Sequence, residues 1–187
     1  MILAVSSLLL IDFLDNLSTT GNSLLVIVVF CLWLLFLPNA FYLLTDLMHL
    51  NPKVLVNKRD NKSDPSLNYE RGDPLFILDS LLLFLTVFFG AVVGGLSLSI
   101  LYDMLVTNFN EFRIYIFTSV LILSAVGVYI GRFGRWNSWD AVIKPTRVIN
   151  DLIVTVKNPK LFKQFISVVF TITILEIISW LFVINYK

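Results

Sequence analysis

The sequence predicts an all-α fold: a polytopic transmembrane helix bundle of four full spans, with a short N-terminal hydrophobic helix and a cytoplasmic amphipathic helix. Three observations carry this. Hydrophobic residues fill 57% of the 187 positions and charged residues only 14%, and the mean hydropathy is +0.84, outside the range of soluble domains. Four apolar runs, Leu24 to Leu44, Leu75 to Leu101, Ile114 to Ile130 and Phe165 to Ile184, approach or exceed the roughly 20 residues that cross a hydrocarbon core. Runs of that length satisfy their backbone in lipid only as helices, because barrel strands are about half as long.

The first segment, about residues 1–14, opens with eleven apolar or small residues that reach only about 17 Å as a helix at ~1.5 Å per residue. It lacks a basic n-region and a small-residue cleavage site, so it is read as a retained short span or interfacial helix rather than a signal peptide. The second span, about 24–49, contains Pro38, which removes one backbone bond, and ends before Asn51 and Pro52. The third, about 74–101, opens at "GDPLF", with Asp73 as N-cap and Pro74 at the first helical position. The fourth and last spans are placed at about 112–133 and 161–184. From Pro145 to Lys157, apolar Val148, Ile149, Leu152, Ile153 and Val156 alternate with polar residues at helical spacing, which predicts an amphipathic surface helix stopped by Asn158 and Pro159.

Charge sets the orientation. The connections 50–73 and 134–160, with their flanks, hold twelve of the fourteen basic residues, among them Lys58, Arg59, Arg132, Arg135 and Lys163. The positive-inside rule places both connections in the cytoplasm. The lone Cys31 excludes a disulfide scaffold, and no basic face for nucleic acid is present. No internal repeat of the kind found in inverted-topology transporters is seen. The expected surroundings are therefore the lipid bilayer.

Within the membrane, "GAVVG" (Gly90 to Gly94) and "GVYIG" (Gly127 to Gly131) carry small residues four apart, and the third and fourth spans are expected to pack on each other there. Asp79, Leu83, Thr86, Gly90, Gly94 and Ser97 share a stripe expected to face inward. Glu176 lies near the middle of the last span and must face protein or water. It is read either as a hydrogen-bonded neutral acid or as part of a relay, and the other spans offer no second ionisable group at its depth.

Polar residues from three separate segments converge on one end of the spans. Asn39, Tyr42, Thr45, Asp46 and His49 come from "LPNAFYLLTDLMHL". Asp79 comes from the third span, and Arg132, Arg135, Trp136, Asn137, Ser138, Trp139 and Asp140 from "GRFGRWNSWD". Three readings stand open. In an interfacial clasp, tryptophans anchor at headgroup level and carboxylates pair with arginines. In a recognition pocket, the arginines and aromatics hold an anionic lipid headgroup or small anion. In a catalytic or metal site, Asp46, His49, Asp79 and Asp140 hold a divalent metal, since Asp and His at i and i+3 can present two ligands to one ion. A binding or scaffold role, a metal-dependent membrane enzyme and a small-solute transporter are the corresponding functions.

These two blocks resemble the hallmark segments of a bacterial family of multi-spanning membrane proteins, the domain of unknown function 1361 family, whose forms are L-P-N-A-P-Y-x-x-T-D-L-x-H-L and G-R-F-x-R-W-N-S-W-D. The match carries Pro38, Asn39, Ala40, Tyr42, Thr45, Asp46 and His49, then Gly131, Arg132, Arg135, Trp136, Asn137, Ser138, Trp139 and Asp140. Phe41 stands where the family form has a second proline, and Ile77 and Leu78 replace an aromatic pair before Asp79. The resemblance implies a polytopic protein of the bacterial plasma membrane and implies no particular reaction.

Overall fold

The computed structural model describes residues 2–18, 23–45, 74–133 and 145–186, which are helical almost throughout and contain no strand. Among the described residues six helices follow in order: α1 (Ile2–Ser18), α2 (Ser23–Tyr42), α3 (Pro74–Asn108), α4 (Arg113–Phe133), α5 (Pro145–Lys157) and α6 (Pro159–Asn185). Four stretches, Ser23–Thr45, Ile77–Asn108, Arg113–Arg132 and Pro159–Asn185, are long and apolar enough to cross a membrane. Large apolar side chains such as Leu85, Phe88, Leu123 and Phe170 lie exposed along them. An apolar outer surface of this extent suits lipid rather than water, and the chain is a multi-pass membrane protein.

Several helices run further than the apolar pattern alone indicates, because polar side chains bond back onto their own turns. In α1, Asn16 Nδ2 donates to the Asp12 carbonyl (2.8 Å) and Ser18 Oγ to that of Asp15 (2.7 Å), carrying the helix to Ser18. Its 17 residues still reach only about 25 Å. In α3, Thr107 Oγ1 and Asn108 Nδ2 donate to the Met104 carbonyl at 2.9 and 3.0 Å, prolonging the helix past Leu101. The α3–α4 turn is closed by Phe112 N–H donating to the Phe109 carbonyl (3.0 Å) and by the Arg113 side chain on Asn110. Asn158 does more than stop α5. Its side chain accepts from the N–H groups of Lys160 (3.1 Å) and Leu161 (3.5 Å), which makes it the N-cap of α6 with Pro159 at the first helical position.

The core is built from seams spaced three and four residues apart, the pattern that keeps one helix face on its neighbours. On α1 these are Ala4, Ser7, Ile11 and Leu14; on α6 they are Ile172, Glu176, Ser179 and Val183. Trp33, Leu37 and Phe41 of α2 are fully buried at the centre. Helix α2 packs on α1, α3 and α4, while α6 closes the other side against α3 and α4.

The glycines decide the approach distances, and they overturn the expected pairing of the two glycine motifs. A Cβ on Gly90 would stand 2.6 Å from the Ala40 carbonyl oxygen, and one on Gly94 2.5 Å from the Phe41 ring. A Cβ on Gly127 would meet the Pro38 ring at 2.6 Å. Both motifs therefore press against α2, where Gly127 makes room for the proline that interrupts that helix. Gly95, one residue beyond the expected stripe, lets α3 approach α6, with the Ser179 carbonyl oxygen 2.5 Å from a would-be Cβ. The stripe itself is buried at Gly90, Gly94 and Ser97, half-buried at Leu83 and Thr86, and exposed at Asp79, so the expected inward face fails at its polar end.

Candidate functional site at the polar end of the bundle

The last turns of α2 and α4 meet at one end of the bundle. After Tyr42 the backbone tightens into a 3₁₀ turn over residues 43–45, held by Thr45 Oγ1 donating to the Tyr42 carbonyl at 2.6 Å. One turn earlier, Asn39 Nδ2 donates to the Phe36 carbonyl at 3.2 Å, supplying a bond where Pro38 has disturbed the backbone ladder. These two side chains thus shape the end of α2.

Arg132 sits in the last turn of α4, where a cation complements the helix dipole. Its guanidinium lies 5.4 Å from the Tyr42 ring centroid. Nη1 donates to Tyr42 Oη at 3.4 Å and Nη2 to the Thr45 carbonyl at 3.3 Å. Both bonds are long, so orientation matters more here than their individual strength. A planar fork resting on a tyrosine is the arrangement that recognises carboxylates and phosphates with two parallel bonds.

The structure thus brings together Tyr42, Thr45 and Arg132 of the residues singled out by sequence, with Asn39 one turn before Tyr42 on α2 and bonded to its own helix. Asp79 stands apart, exposed on the first turns of α3. Asp46, His49, Arg135, Trp136, Asn137, Ser138, Trp139 and Asp140 lie outside the described residues, and among the described residues no three His, Cys, Asp or Glu side chains group together.

Two buried polar constellations have partners that sequence reasoning does not name, although Ser97 is itself expected to face inward and Glu176 to face protein or water. Trp33 Nε1 donates to Ser97 Oγ at 2.8 Å, and Ser97 Oγ donates to the Ser7 carbonyl at 3.4 Å, joining α2, α3 and α1 through one hydroxyl. On the opposite side of the bundle, Glu176 of α6 and Ser124 of α4 are both 0% exposed, with the Ser124 hydroxyl facing the carboxyl. The available signal was register: Ser7, Ser97 and Ser124 each fall on the buried seam of their helix.

No curated protein and no solved structure matches the chain. A family model, described as protein of unknown function (DUF1361), matches residues 1–178. That span includes α1 to α5 and about three quarters of α6, so the chain, with its apolar helices and its α2–α4 polar end, belongs to the DUF1361 family.

Proposed function

We propose that this protein is a multi-pass protein of the bacterial plasma membrane that holds an anionic lipid headgroup at the cytoplasmic end of α2 and α4. The observation that carries the reading is the Arg132 guanidinium, laid on the Tyr42 ring and aimed across the helix interface at the Thr45 carbonyl. A guanidinium already oriented loses little rotamer freedom on gripping a phosphate. In sequence, Arg135, Trp136, Asn137, Ser138 and Trp139 follow within seven residues of Arg132, residue types that offer donors and aromatic rings suited to a headgroup. The excess of basic residues in 50–73 and 134–160 supports the cytoplasmic placement. Of the four residues of the alternative metal site, Asp79 is the one described, and it is exposed.

Native mass spectrometry of protein released from mixed phosphatidylglycerol and phosphatidylcholine nanodiscs tests the reading. The wild type should retain phosphatidylglycerol preferentially, and Arg132→Ala should lose that preference while Arg132→Lys keeps part of it. Equal retention of both lipids by wild type and Arg132→Ala removes the proposal. For orientation, Lys58→Cys in a Cys31→Ser background should resist an impermeant maleimide in intact cells and react after lysis.

A further inference from the structure

Among the described residues, six carry buried side-chain polar atoms without a hydrogen-bond partner: Ser99, Arg113, Ser124, Thr173, Glu176 and Trp180. Buried polar groups are nearly always satisfied, so a cluster of exceptions points to a role. Four of the six sit together by register. Thr173 and Trp180 lie three residues before and four after Glu176 on one face of α6, and Ser124 faces the Glu176 carboxyl from α4. Burying an acid at this depth is costly, a penalty that a purely structural role could have avoided with an apolar residue.

The donor set is one carboxyl and two hydroxyls, all hard oxygen ligands. No other charged side chain occurs between residues 80 and 102 of α3, 114 and 131 of α4, or 164 and 186 of α6. Tyr102, the nearby titratable group, packs its ring on Trp180 at 5.0 Å. One carboxylate balances one positive charge, whereas a divalent ion would leave a net charge buried in hydrocarbon. One turn beyond Glu176, the Trp180 ring packs with those of Tyr102 and Phe117, the three centroids lying 5.0 to 5.4 Å apart. We propose that Glu176, Ser124 and Thr173 form an occluded intramembrane site for one small monovalent cation of the Na⁺ class, bound in exchange for the carboxyl proton. The cation enters as that proton leaves, so the site stays neutral. The Trp180 N–H, unable to ligate a cation, is the donor left for the carboxylate once its proton has gone.

The test is the thermal midpoint of the protein in nanodiscs, in NaCl, KCl or choline chloride at equal ionic strength, across neutral to alkaline pH. Sodium should raise the midpoint of the wild type above that in KCl or choline, as a ligand of the folded state does. Because one proton competes with one ion, the Na⁺ concentration for half the effect should be constant where the carboxyl is ionised and rise about tenfold for each pH unit lowered once it is protonated. Ser124→Ala should raise it by a similar factor, about tenfold, and Glu176→Gln should abolish the response. Identical wild-type midpoints in all three salts at every pH overturn the site and leave Glu176 a structural acid. So does a sodium response that survives Glu176→Gln. If Glu176→Gln does not fold, the wild-type salt comparison and Ser124→Ala decide the matter on their own.

Discussion

The indole N–H of Trp33 donates to the hydroxyl of Ser97 at 2.8 Å in the buried centre of the bundle, and these residues stand 64 positions apart in the chain. The bond fixes the rotation of α2 against α3, because a buried indole needs an acceptor and Ser97 presents the one it uses. Hydrogen bonds between membrane helices contribute about 0.6 to 2 kcal/mol. Ser97→Ala should lower stability by about 1 kcal/mol in equilibrium unfolding from micelles. Adding Trp33→Phe should then cost less than Trp33→Phe does in the wild type, since the orphaned donor goes with the indole.

Gly94 and Phe41 form a ring-on-glycine contact between α3 and α2. With the Phe41 ring fully buried, a methyl group on Gly94 has nowhere to send it. Gly94→Ala should destabilise by about 1 to 3 kcal/mol, the usual effect of overpacking. Phe41→Leu in the same chain should recover much of that loss, and thermal unfolding of the two single variants and the pair measures the coupling.

Gly90 and Gly95 meet backbone first: the Ala40 carbonyl, with the Leu43 side chain next to it, and the Ser179 carbonyl, with Val183 beside it. Helix backbone cannot rotate aside, so neither Gly90→Ala nor Gly95→Ala should be rescued by a smaller side chain on the partner helix. The expected readout is reduced abundance of folded protein in the membrane for both variants, with no recovery on adding Phe41→Leu.

Tyr42 offers Arg132 both a ring face and a hydroxyl. Tyr42→Phe keeps the face and removes a 3.4 Å bond, so it should change stability by less than about 0.5 kcal/mol. Tyr42→Leu removes the face as well and should lose about 0.5 to 1 kcal/mol more at this half-exposed position. Unfolding of Arg132→Ala backgrounds, in which both effects should vanish, confirms that they run through the guanidinium.

Asn158 caps α6 directly after α5 ends. Asn158→Ala should destabilise by about 1 kcal/mol and Asn158→Asp should be close to neutral. Faster hydrogen exchange at the Lys160 and Leu161 amides of the alanine variant is the local check.

The amphipathic helix from Pro145 to Lys157 was legible because its apolar spacing and the Asn158–Pro159 stop are local signals, and the helix occupies those residues. Residues Asn39, Tyr42, Thr45 and Arg132 could be grouped by sequence because they end spans that enter from one side of a bilayer, which restricts depth. Asp79 shared that depth and yet points away, since depth leaves rotation about the helix axis free. The Ser124 and Glu176 pairing was hidden for a similar reason: a lone serine in an apolar run names no partner.

The sequence by itself determined the membrane class and the helical state of each apolar run, because lipid forces backbone bonds to close locally. The tertiary structure alone decided which buried face meets which. Lipid tails are as apolar as the core, so helix choice in a bilayer rests on close fit and a few polar contacts. Here that fit put both glycine motifs against α2, set Gly95 on the backbone of α6, and brought Trp33 to Ser97 and Ser124 to Glu176.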